Sequence, residues 1–136
     1  MPLSATAHST ATAYRVRLQD PAGHEWWADE PVSNGGGDTA PDPVQLVLSG
    51  LCACTTITVQ MYAQRKGWPL SGVRVHATLN PAGDPPRGEA NHIARELHLE
   101  GALDAEQRER LLQIANACPV HKLLSGSLVV DTTVHA

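Results

Sequence analysis

The sequence predicts an α+β fold, because strand-like stretches cluster around two helical segments instead of alternating with them one for one. Three observations carry this. Residues 43–64 hold no formal charge and read as one long helix. Residues 72–79 and 90–99 alternate apolar and polar side chains with the period of half-buried strands. Leu111, Ile114, Ala115 and Cys118 then recur at the spacing of one helical face.

The elements follow in order. Residues 12–18 alternate, with Tyr14, Val16 and Leu18 on one side and Arg15 and Arg17 on the other. Asp20-Pro21-Ala22-Gly23 is turn chemistry, so residues 24–28 return as the second strand of a hairpin. Residues 33–38 are a Gly-rich loop. Asp42 is placed to cap the long helix, Pro43 suits its first position and Gln45 stands where a capping box wants Glu or Gln. Arg65 and Lys66 complement the negative end of the helix dipole, and Gly67 followed by Pro69 stops it. At ~1.5 Å per residue this helix is about 36 Å long, and it is expected at the centre of the domain. The strands at 72–79 and 90–99, separated by a Pro-rich loop, are expected to pair antiparallel. Asp104 and Gln107 have capping-box spacing for the second helix. Pro119 interrupts that helix, a short turn continues to Leu124, and Ser125-Gly126 breaks the chain before a last strand at 127–135.

The chain has 136 residues, enough for one domain, expected over residues 14–136 behind a flexible lead-in at 1–13. It contains no Phe, so the core must draw on aliphatic residues and on Trp26, Trp27, Trp68, Tyr14 and Tyr62. A net charge of −4 with scattered Arg and Lys excludes a nucleic-acid partner, which would need a basic patch. The uncharged helix approaches the ~20 residues that span a bilayer. Its Gln, Ser and Thr residues and the opening proline favour a buried helix of a soluble protein, with no membrane partner. The first thirteen residues lack the charged start and apolar block of an export signal, so a cytoplasmic, reducing compartment is expected.

In such a compartment the three cysteines Cys52, Cys54 and Cys118 read as catalytic, metal-binding or buried core, not as a disulfide framework. Cys54 shares a helical face with Val47, Gly50, Leu51, Ile57, Thr58 and Met61. Cys52 points to nearly the opposite side with Gln45, Ser49, Thr55 and Val59 and reads as structural. If the two helices pack by their apolar stripes, Cys54 and Cys118 can meet. Cys118-Pro119-Val120-His121 also has ligand-like spacing, but structural zinc sites offer paired short motifs and this one stands alone. No metal or cofactor is therefore expected. Gly35-Gly36-Gly37 precedes no Lys and is no phosphate loop.

Residues 43–55, Pro-Val-Gln-Leu-Val-Leu-Ser-Gly-Leu-Cys-Ala-Cys-Thr, resemble a characteristic segment of the OsmC/Ohr family, in particular its OsmC-like branch. Residues 61–70, Asp29-Glu30-Pro31 before the Gly-rich loop, and Cys118-Pro119-Val120-His121 extend the resemblance from about His24 onward. The resemblance implies an intertwined homodimer with strongly curved antiparallel sheets around two central helices. It also implies that Cys54 reacts with an organic hydroperoxide. The sulfenic acid then condenses with Cys118, and a dithiol reductant (a lipoyl group in the better-known branches) restores the pair, as thiol chemistry allows. The chain departs from the family at Gln45 and Val44, where relatives carry Glu, so neither position offers a carboxylate to orient an arginine. Arg15 and Arg17 are the candidates for that arginine, though alternating strand positions need no function. The alternative is a non-catalytic dimer of the same fold, stress-associated or binding a small molecule. Local chemistry meanwhile favours Cys118 as the more acidic thiol, since Cys54 lies about three turns into its helix, beyond reach of the dipole.

Overall fold

The computed structural model describes residues 2–135. The chain divides into two compact units, Met1–Val47 and Leu48–Ala136. The first unit holds β1 (Thr6–Ser9), β2 (Val16–Gln19) and β3 (Glu25–Ala28), paired in that order as an antiparallel meander. β1 lies where a flexible lead-in was expected. Its polar residues carry no apolar pattern, and it forms through backbone pairing with β2, Thr6 opposite Gln19 and Ser9 opposite Val16. Pairing of this kind leaves no side-chain signal to read. The hairpin of β2 and β3 follows the turn at 20–23, where Gly23 adopts a left-handed φ of 93°.

Beyond β3 the chain folds around Asp29, which is almost fully buried. Its carboxylate accepts hydrogen bonds from the Thr39 hydroxyl at 2.5 Å, the Glu30 N–H at 2.8 Å and the Thr39 N–H at 3.1 Å. The Thr39 hydroxyl, then the Glu30 and Thr39 amides, hold this carboxyl far below the usual carboxylate range. A Cβ at Gly36 would stand 2.0 Å from the Glu30 carbonyl oxygen, so only glycine fits that bend. Arg15 belongs to the same network: it donates to Thr39 Oγ1 at 2.8 Å and stacks over Trp27 at 4.1 Å.

α1 (Pro43–Lys66) has the expected bounds. Asp42 accepts the Gln45 N–H at 2.9 Å, and Gly67, with φ of 67°, ends the helix as Trp68 N–H returns to the Ala63 carbonyl. By length and composition α1 could cross a membrane. Four of its residues, Leu51, Thr55, Val59 and Ala63, form its buried stripe, while Val44, Val47, Ile57 and Met61 are about half exposed. The stripe expected to pack, on the Cys54 face with Val47, Ile57 and Met61, is corrected to that of Leu51, Thr55, Val59 and Ala63, of which Thr55 and Val59 were expected on the opposite side with Cys52. An almost uniformly apolar helix gives no polar contrast by which sequence could identify that stripe.

The second unit is built on a hairpin of β4 (Leu70–Leu79) and β5 (Ile93–Gly101), antiparallel, with Leu79 opposite Ile93, Ala77 opposite Arg95 and Val73 opposite Leu99. α2 (Ala105–Ala115) opens on the expected capping box: Asp104 accepts the Gln107 N–H at 2.7 Å, and Gln107 accepts the Asp104 N–H at 2.9 Å. Arg108 ties α2 to the end of β5 by donating to the Leu99 and Gly101 carbonyls. Arg110 donates to the Tyr62 hydroxyl at 3.0 Å, joining α2 to α1. The core consists of Val59 and Ala63 from α1, Leu103, and Leu111 and Ala115 from α2, with Trp68, Leu70, Val73, Leu97 and Leu99 packed around them. Complete burial of a side chain such as Leu111 stabilises the fold by about 1.5–3 kcal/mol.

α3 (Pro119–Ser125) is the expected short turn after the break. Residues 127–135 form no strand, correcting the expectation of a last one. Their apolar residues Leu128, Val129, Val130 and Val134 are exposed, and the stretch takes no place in either sheet among the described residues. Tyr14 is exposed as well and adds nothing to the core.

Candidate functional site

The three-residue gap between α2 and α3 positions Cys118. α2 stops at Ala115, and Pro119, with no N–H to donate and φ preset for a helix, opens α3. Cys118 is thereby the N-cap, and its sulfur accepts the His121 N–H at 3.4 Å. The residue is fully buried. Cys54, in the middle of α1, is partly exposed at the edge of the buried stripe, and its thiol is hydrogen-bonded with that of Cys118. Of the sequence-derived candidates, the structure brings these two together. Cys52 is partly buried, and its carbonyl accepts the Thr56 hydroxyl at 2.8 Å.

The two thiols are not equivalent. Burial pushes the Cys118 thiol up, but hydrogen bonds from Cys54, the His121 N–H, the Thr55 hydroxyl and the Val120 N–H outweigh it and leave the group below its ordinary value. Burial and the bond to Cys118 push the Cys54 thiol up, and the Val120 N–H and Thr58 hydroxyl only partly offset this. The directions of the two shifts make Cys118 the more acidic thiol of the pair. These directions agree with the acidity order read from local sequence chemistry.

Thr55 and Arg95 complete the setting, and sequence reading missed both. The fully buried Thr55 hydroxyl lies 2.8 Å from the Leu51 carbonyl and 3.0 Å from Arg95 Nη1. Arg95 Nη2 donates to Asn116 Oδ1 at 2.8 Å, in the gap before Cys118. Arg95 shares strand parity with Ile93, Leu97 and Leu99, so a charge on the apolar side of β5 was the available signal. Arg95, Asn116 and His121 also line a cavity of about 380 Å³ walled by Leu51, Leu97 and Leu112. Among the described residues no cluster of three or more His, Cys, Asp or Glu could hold a metal ion.

A family model described as OsmC-like protein matches residues 35–133. A search of curated proteins finds no match. Among solved structures, the chain is similar to an OsmC-like protein from Mycoplasma pneumoniae, at 18% identity and a TM-score of 0.77, over 93% of this chain and 89% of that one. It is also similar to an organic hydroperoxide resistance protein OsmC from Legionella pneumophila, at 22% identity and 0.64, over 93% and 90%. A third is the organic hydroperoxide resistance protein OhrB of Bacillus subtilis, at 19% identity and 0.62, over 93% and 92%. At these identities the structural likenesses establish the α+β fold.

Proposed function

The chain belongs to the OsmC-like family, and from that premise we propose that it reduces organic hydroperoxides through a Cys54–Cys118 thiol pair. The hydrogen bond between a partly exposed thiol and a buried, acidic one carries this reading. Two relatives in fold are organic hydroperoxide resistance proteins, which supports the same substrate class.

The geometry suggests how the labour divides. Cys118 supplies acidity but is buried, while Cys54 has access but a raised affinity for its proton. Proton transfer along their hydrogen bond gives a Cys54 thiolate and a Cys118 thiol. The Cys54 sulfur attacks the terminal oxygen of ROOH, the O–O bond breaks, and Cys54 becomes a sulfenic acid. The departing alkoxide takes the Cys118 proton and leaves as ROH. The Cys118 thiolate then attacks the Cys54 sulfur, the S–O bond breaks, and hydroxide is released as the disulfide forms. A dithiol reductant, for which a lipoyl group is one chemical form, returns both cysteines to the reduced state. This cycle suits a reducing compartment such as the cytoplasm, and it needs no metal or organic cofactor.

Titration of free thiols in the reduced protein tests the reading. One equivalent of cumene hydroperoxide should lower the count from three to one, with Cys52 the thiol that remains. An unchanged count would sink the peroxidase and favour a non-catalytic dimer of the same fold.

A further inference from the structure

We propose that Arg95 is a positioning residue for Cys118 that acts through the Thr55 hydroxyl, filling one of its lone pairs and freeing its single proton to serve the Cys118 sulfur. The inference deepens the thiol-pair reading and rests on it for its functional meaning.

A threonine hydroxyl has one proton and two lone pairs. Thr55 Oγ1 has two neighbours of fixed character and a third, the Cys118 sulfur, whose character changes with ionisation. Arg95 Nη1, at 3.0 Å, can only donate. The Leu51 carbonyl, at 2.8 Å, can only accept. The Cys118 sulfur accepts whenever it is a thiolate. The one proton therefore has two destinations. With Cys118 protonated, it satisfies the Leu51 carbonyl in the back-bond common to helical threonine. With Cys118 ionised, it turns to the sulfur, and Leu51 keeps its place in the helix ladder. Donation from a guanidinium polarises the O–H and strengthens it as a donor in either orientation. Arg95 can hold this role because its second arm is anchored on Asn116 at 2.8 Å, two residues before Cys118. Among the described residues it has no carboxylate partner, so its charge is not neutralised locally. The other titratable or charged groups near Cys118 are Cys54 from α1, and His121 and Lys122 within one turn of its own helix.

Ultraviolet absorbance of thiolate, followed against pH in the reduced full-length protein, tests this without peroxide and without reagent access to the buried sulfur. The first thiolate to appear should vanish in Cys118→Ser. Its midpoint should move up by about one pH unit in Thr55→Val and in Arg95→Met, with roughly tenfold less thiolate below the midpoint. Thr55→Ser, which keeps the hydroxyl, should restore the original midpoint, and Thr55→Val/Arg95→Met should shift no further than Thr55→Val alone. The proposal is overturned if the first thiolate survives Cys118→Ser, if either single variant leaves the midpoint in place, if Thr55→Ser shifts it as Thr55→Val does, or if the two shifts add. Because no peroxide is used, these outcomes are separate from the thiol count, which can fail while the proton path stands.

Discussion

Cys54→Ser should abolish peroxide consumption from the first turnover, a loss of several orders of magnitude. The serine hydroxyl is not ionised at neutral pH and forms no sulfenic acid, and Cys118 is too buried to replace Cys54 as the attacking sulfur. Cys118→Ser should behave differently. It should consume about one equivalent of peroxide and stall, because no second thiol condenses with the sulfenic acid. That single turnover should also be slow, since the variant loses the thiolate that draws the proton from Cys54. A sulfenate-specific reagent should label it at Cys54, and excess peroxide should drive it to irreversible oxidation. Cys52→Ala should consume peroxide with wild-type stoichiometry. Rapid-mixing peroxide assays on the three variants check all of this. A dead Cys118→Ser beside a stalling Cys54→Ser would reverse the roles.

The second large effect concerns assembly. The protein should sediment as an obligate dimer at micromolar concentration, with no folded monomer. Val44, Val47, Ile57 and Met61 on α1 are about half exposed, and Val129, Val130 and Val134 are 81%, 78% and 94% exposed. Scattered apolar residues on a surface are ordinary, but three exposed valines within one short stretch that belongs to no sheet are not. A second copy of the chain is the cover proposed, and obligate interfaces of that kind bury roughly 2,000–5,000 Å². A stable monomer in sedimentation equilibrium would contradict it.

How much of this was legible in the sequence differs between elements for physical reasons. α1 declared both its ends, since Asp42 and Gly67 act locally and each left its mark in the fold. The capping box of α2 and the break at Pro119 were equally local, and so the N-cap position of Cys118 could be foreseen. The buried stripe of α1 could not, because Leu51, Thr55, Val59 and Ala63 differ too little in polarity from Val47, Ile57 and Met61. β1 escaped because its pairing is made by the backbone. Residues 127–135 have the alternation of a strand but no partner within their own chain, and sequence pattern cannot say which chain supplies one. The cysteine pair was found from motif resemblance, while the helix-face argument set Cys54 on a stripe with Val47, Ile57 and Met61 that the fold leaves half exposed. Thr55 and Arg95 were not found, because their meeting depends on the register that sets Arg95 opposite Ala77 and on the packing of β5 beside α1.

The central claim is that Cys54 and Cys118 form one redox unit, and the most direct measurement is peptide mapping of the protein after a single equivalent of organic hydroperoxide. The account predicts one intrachain disulfide joining the Cys54 and Cys118 peptides, Cys52 free, and one alcohol released per chain. A disulfide that involves Cys52, or an oxidised Cys54 with Cys118 still a free thiol in the wild-type protein, would contradict it.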